Sequence, residues 1–187
     1  MPAWNGWYHI IGSTYGNWLP GDPRGWRTRH HREHVEGEYK NPPPKGTHDR
    51  RLAYAQSMMT REPVLLLPPQ RELVCRTMVE ALQFHKIKVK DMSVSALHIH
   101  LLAGFALVRR AAYIKNINDP TRHYVGIAKS RSSRALSEAG LTGHGGIWAK
   151  RTKIVPIEDC DHFENVVQYI QDHAKEGAFV WSLHQGK

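Results

Sequence analysis

The 187-residue sequence predicts an α+β fold, a ferredoxin-like βαββαβ sandwich with an antiparallel sheet and one further C-terminal helix. Three observations lead there. Short runs rich in β-branched and aromatic residues recur at 8–15, 87–96, 98–105 and 147–157. Apolar residues take helical spacing after Pro68 and again over 161–176. The strands at 87–96 and 98–105 adjoin so closely that only a hairpin can join them.

In order along the chain, YHIIGSTY at 8–15 reads as the first strand, ended by Gly16. From 16 to 44 the sequence is punctuated by Pro and Gly and loses any period, so 16–62 reads as a long loop or insertion within a single 1–187 domain. Pro68-Pro69 suits the first turn of a helix, and Leu73, Val74, Met78, Val79, Ala81 and Leu82 carry it to about Lys86. IKVKDMSVSA then alternates as a strand with Lys86, Lys88 and Lys90 on its polar side, and HIHLLAGF pairs with it. A basic helical region over 108–141 breaks near Asp119-Pro120. A last strand over 147–157 precedes a helix over 160–177, closed by Gly177, with Phe163, Val166, Val167, Ile170 and Ala174 as its buried stripe.

Composition narrows the function. With 26 Lys+Arg against 17 Asp+Glu, the formal charge of +9 points to a polyanionic partner, nucleic acid first. The longest apolar run, 96–108, is interrupted by His98 and His100 and falls short of the roughly 20 residues of a membrane span. The N-terminus lacks the pattern of a secretory leader, and Cys75 and Cys160 form no CxxC, so a cytoplasmic protein without a cysteine zinc site is expected. Basic residues concentrate twice. Residues 22–61 hold nine Lys/Arg against five acids, with Trp18 and Trp26 nearby for stacking on bases. Residues 108–134 hold seven (Arg109, Arg110, Lys115, Arg122, Lys129, Arg131, Arg134) against the single acid Asp119. Either cluster can be a solvated face; the net +6 of the second favours contact with a nucleic-acid backbone.

Two small constellations carry candidate chemistry. In His98-Ile99-His100 a strand would point both imidazoles to one face, giving half of a divalent-metal site, although the same pattern also occurs as plain packing. On the last helix Tyr169 and His173 stand four apart and share a face, so a helix lying on the sheet could deliver a third ligand and a hydroxyl together. Taken singly, Tyr169 also reads as an aromatic at the core boundary and His173 as a solvated residue near a helix end.

His98-Ile99-His100 resembles the paired-histidine (HUH) motif of single-strand DNA endonucleases, and VVQYIQDH at 166–173 resembles the catalytic helix of their single-tyrosine transposases. The first strand followed by NWLPGDPRGW, the HIHLL block, the IAKSRSSRALSEAGL segment and the final YI helix occur in the order of insertion-sequence and REP-associated tyrosine transposases. The resemblance implies Tyr169 as nucleophile and His98 and His100 as ligands of Mg²⁺ or Mn²⁺, with His173 completing the set and Gln171 as the other candidate. It implies a 5′-phosphotyrosine intermediate, a single-stranded or hairpin DNA substrate and a homodimer, since one tyrosine makes one linkage and a mobile segment has two ends. It also places Lys129, Arg131 and Arg134 toward DNA, and Arg109 and Arg110 join them as candidates for DNA contact from the charge cluster. One departure is Leu97, which stands where an acidic residue commonly precedes the first histidine. Metal binding by imidazoles favours Mn²⁺ over the harder Mg²⁺. Two other readings are weaker: a domesticated relative that binds DNA hairpins without cutting, against which the retained tyrosine and both histidines argue, and a histidine-triad nucleotide hydrolase, whose last histidine would fall on Leu102.

Overall fold

The computed structural model describes residues 3–22, 44, 46–112, 118–142 and 145–183, with side chains omitted at 110–112. Two compact units emerge: 1–14 with 65–187, and 15–64.

The larger unit is built on a five-stranded antiparallel sheet. Its strands are β1 (Trp7–Thr14), β2 (Lys88–Val94), β3 (His98–Gly104), β4 (Trp148–Pro156) and β5 (Phe179–Ser182), in the order β4-β1-β3-β2-β5. The first four have the order and directions of a ferredoxin-like sheet, and β5 extends it beyond β2. In the smaller unit, α1 (Asp49–Ser57) is a helix within the segment expected to be a loop. The larger unit continues with α2 (Pro68–Phe84), α3 (Ala106–Ala112), α4 (Pro120–Glu138) and α5 (Cys160–Asp172).

Proline and caps set these helices. Pro68 and Pro120 open α2 and α4, where a missing N–H costs nothing. Asp119 and Asp159 accept the backbone N–H of Arg122 and His162 at the starts of α4 and α5. The helices cover both faces of the sheet. On one face α2 packs on β2 and on α4, over a core that includes Ile10, Val74, Met78, Met92, Ile99 and Leu101. On the other face α5 seats Val166 and Ile170 against Leu102 and Ile157, with Trp4, Trp7 and Phe163 closing the edge.

Two expectations about surfaces change. Ala174 is exposed, because α5 ends at Asp172 and the 3-10 turn His173–Glu176 swings the stripe out of phase. The three lysines do not share one strand face either. Lys86 precedes β2 in the left-handed region at φ 61°, and Lys90 is the extra residue of a bulge between Val89 and Asp91. That bulge places Asp91 opposite Leu102, so a carboxylate sits fully buried on the α5 face.

Within the smaller unit the ends of the segment are tied together. Tyr15 accepts the Val64 N–H at its carbonyl and the Thr60 N–H at its hydroxyl, and Arg61 lies over its ring at 4.1 Å. Gly21, at φ 95°, lets the backbone pass against His48 and Leu52, where a Cβ would come within 2.5 Å of the Leu52 nitrogen.

Candidate metal centre

The site forms where β3 meets the C-terminal end of α5. Alternation along β3 sends His98, His100 and Leu102 toward α5, while Ile99 turns into the opposite layer and is fully buried. The register with β1 places Ser13, Ile11 and His9 beside them on the same face. Because Val166 and Ile170 are anchored on Leu102 and Ile157, the next turn of the chain carries Tyr169 and His173 over the two strand histidines. Gly177, left-handed at φ 79°, then turns the chain back toward β5.

Three histidines converge. Ring centroids lie 5.0 Å apart for His98 and His100, 4.6 Å for His100 and His173, and 5.6 Å for His98 and His173. One ring nitrogen from each lies within 4.8 Å of the others. Ligands about 2.1 Å from a shared ion stand roughly 3.0–3.4 Å apart, so small ring rotations close this set on a metal. His98, His100 and His173 are thus positioned to bind a metal ion.

The second nitrogen of every ring is engaged. His173 Nδ1 donates to the Tyr169 carbonyl at 2.8 Å, His98 Nδ1 meets Ser95 Oγ at 3.0 Å, and His100 Nδ1 meets His9 Nε2 at 2.9 Å. A carbonyl only accepts, so His173 carries its proton on Nδ1 and presents an Nε2 lone pair. Ser95 Oγ also approaches the His98 carbonyl at 3.0 Å and receives the His98 N–H at 3.2 Å. Donating its own proton to that carbonyl leaves the oxygen to accept from His98 Nδ1. Ser95, in the β2–β3 turn, thus supplies a partner that the sequence lacks at Leu97.

Burial disfavours the charged form at two of these imidazoles. His100, 4% exposed, is pushed down to about 2, chiefly by desolvation and then by the neighbouring His9 and His98. His9, 8% exposed, is lowered to about 4 by desolvation first, then by His162 and Lys153. Neutral imidazole is the ligating form, so burial favours metal binding here. A set of three nitrogen donors and no carboxylate suits borderline ions better than Mg²⁺.

Tyr169 borders this cluster. Its ring lies 4.7 Å from His173, 5.0 Å from His100 and 6.0 Å from His9, and 49% of the residue is exposed. Solvent, or a substrate, can therefore reach the residue while its ring edge stays against the histidines. Gln171 points elsewhere: its Nε2 donates to Asp91 Oδ1 at 3.1 Å, and Ser182 donates to the same oxygen.

The basic residues stand apart from this centre. Lys129, Arg131 and Arg134 ride on α4, and α4 packs on the sheet face opposite the histidines. There a cleft of about 320 Å³ opens between α4 and β4, lined in part by Arg122, Lys129, Ser130, Ser133 and Lys150. Lys129 is nearly buried, its ammonium donating to Ala149 O at 2.9 Å and Thr152 Oγ1 at 3.1 Å, and desolvation lowers it to about 8. Arg131 lies over Phe84 at 5.4 Å, and Arg134 is exposed. Arg109, on α3, lies 5.5 Å over Tyr8 and reaches Thr121. Trp18, in the smaller unit, is 42% exposed with φ 58°. Trp26, Lys115 and the side chain of Arg110 lie outside the described residues.

No protein family and no curated protein matches the chain. A solved REP-associated tyrosine transposase bound to a REP hairpin is similar to it. The TM-score is 0.41 and the identity 10%, over 92% of this chain and 69% of that one. A likeness that distant carries no weight for the site, whose chemistry rests on the geometry above. Among the described residues no helix is long and apolar enough to cross a membrane.

Proposed function

We propose that the chain is a metal-dependent endonuclease and strand transferase for single-stranded or hairpin DNA, with Tyr169 as nucleophile. The observation that carries this reading is the accessible Tyr169 ring held against the convergent histidines. His98, His100 and His173 would hold the ion, for which Mn²⁺ is a better chemical match than Mg²⁺. Bound there, a divalent ion neutralises charge on a phosphodiester and lowers the barrier to attack at phosphorus.

The chain's own residues supply the rest. Tyr169 Oη forms a bond to phosphorus as the P–O3′ bond breaks, and the phenolic proton is delivered through solvent to the departing 3′ oxygen. The products are a 5′-phosphotyrosine and a free 3′-hydroxyl. Rejoining reverses these bonds: a 3′-hydroxyl attacks the phosphotyrosine and Tyr169 leaves. A phenol with an ordinary value near 10 is a weak nucleophile at neutral pH, so attack depends on how the phenol is positioned beside the histidines. His173 contributes to that positioning through its bond to the Tyr169 carbonyl.

Arg122 and Lys150 at the α4–β4 cleft, together with Arg131 and Arg134, would contact the DNA backbone on the far face. Two copies acting together would give the two linkages that moving a segment requires.

The test uses labelled single-stranded DNA bearing a hairpin, incubated with the full chain and Mn²⁺. A covalent protein–DNA adduct is expected with the wild type and none with Tyr169→Phe. An adduct that persists in Tyr169→Phe would assign the nucleophile to another residue, and hairpin binding without cleavage under any metal would support a binding protein instead.

A further inference from the structure

We propose that His9 is a positioning residue of the metal centre: it holds His100 in the tautomer that can ligate. The inference rests on the reading of His98, His100 and His173 as ligands and extends it to a residue on a different strand.

His9 lies on β1, 91 positions from His100, on the same sheet face. It pairs directly with Leu102, so its ring crosses diagonally to His100, with centroids 5.1 Å apart and planes tilted by 34°. Its Nε2 is 2.9 Å from His100 Nδ1, and both residues are more than nine-tenths buried.

Two neutral ring nitrogens at that distance share one proton, which allows two arrangements. With the proton on His9 Nε2, His100 Nδ1 is the acceptor and the second nitrogen of His100 bears a hydrogen, so it has no lone pair for a metal. With the proton on His100 Nδ1, His100 Nε2 is free to donate its lone pair and His9 must carry its own proton on Nδ1. Only the second arrangement is compatible with a ligating His100.

His9 therefore plays for His100 the part that the Tyr169 carbonyl plays for His173 and Ser95 for His98. Such partners fix ring orientation and the nitrogen that faces the metal, and their loss typically weakens metal binding about 10–100-fold.

The experiment compares Mn²⁺ affinity of the full chain by calorimetry and electron paramagnetic resonance. His9→Phe keeps the ring's bulk and removes the acceptor; His9→Gln places an amide oxygen near the position of Nε2. Affinity is expected to fall 10–100-fold in His9→Phe and to stay within about threefold of wild type in His9→Gln. Equal affinity in wild type and His9→Phe, with binding lost in His100→Ala, would overturn the role of His9 and leave the metal site standing. A wild type that binds no Mn²⁺ would overturn both. Nitrogen-15 imidazole spectra of the wild type loaded with Zn²⁺ give an independent check that does not depend on any variant folding. Protonated Nδ1 on both His100 and His9 supports the proposal; a proton on His9 Nε2 overturns it.

Discussion

His173 donates its Nδ1 proton to the carbonyl oxygen of Tyr169, 2.8 Å away and one helical turn earlier. A single hydrogen bond thus ties the orientation of a metal-ligating ring to the backbone of the residue proposed to attack. It also uses the i,i−4 direction at the end of a helix, where Tyr169 O lies among carbonyls left without the next N–H. His173→Phe removes both the ligand nitrogen and the donor. Mn²⁺ affinity should fall at least 10-fold and stability by about 1–2 kcal/mol for the carbonyl left short of a partner. His173→Gln should keep a ligand atom of a harder kind, so its preference moves from Mn²⁺ toward Mg²⁺. Calorimetric titration of each variant with both ions checks this.

Gln171 offers a contrasting test on the same helix. Its amide donates to Asp91, a buried carboxylate that also receives Ser182 from β5. Asp91 therefore fastens α5 and β5 to β2. Gln171→Leu should leave Mn²⁺ affinity within twofold of wild type and lower stability by about 1–2 kcal/mol, the cost of one buried hydrogen bond. Asp91→Leu should cost about 3 kcal/mol or more, because two donors lose their acceptor at once. Urea unfolding with parallel Mn²⁺ titration separates the two effects; loss of metal binding in Gln171→Leu would make Gln171 a ligand after all.

How much of this was legible in the sequence depends on whether the signal was local. HIH on a strand and Tyr169–His173 at i,i+4 are short-range patterns, and both lie where their periods put them. His9 belongs to no pattern, since it meets His100 only through the β1–β3 register across 91 positions. The bulge at Lys90 did leave a mark: the apolar residues change parity between Val89 and Met92, which an unbroken strand cannot accommodate on one face. β5 is only four residues long, too short for a period to register. Helix α1 buries none of its residues, so the segment carries no apolar stripe to announce it.

Lys129 supplies a pH test away from the metal centre. The folded chain lowers this lysine to about 8 from 10.5 by desolvation, with Arg122 adding a smaller push. Below pH 8 the ammonium is present in both states and its burial counts fully against folding. Between pH 8 and 10.5 the unfolded chain holds the proton more tightly, so stability contributed by this site rises with pH. Lys129→Met lacks that rise. The wild-type stability relative to the variant should therefore increase by about 1–2 kcal/mol from pH 7 to pH 10, after allowing for partial access of solvent to the ammonium. A difference independent of pH in chemical unfolding would show that the cleft hydrates Lys129 fully.

Metal removal distinguishes holding the ion from using it. An ion that binds only the folded chain stabilises it according to its excess over Kd, by about 2.7 kcal/mol at 100-fold excess. For a chain of this size that corresponds to a rise in Tm of roughly 5–10 °C, reversed by EDTA. His98→Ala should abolish the rise, because its ring is one of the three that converge. Tyr169→Phe should keep it, because the residue is half exposed and its ring packing against His100 and His173 survives loss of the hydroxyl. Thermal unfolding of the three proteins with and without Mn²⁺ makes the comparison. A Tyr169→Phe variant that lost the metal-dependent rise would place the phenol among the ligands and out of the role of nucleophile. One that kept the rise yet formed no DNA adduct would divide the labour as proposed, with the histidines holding the ion and the tyrosine making the bond.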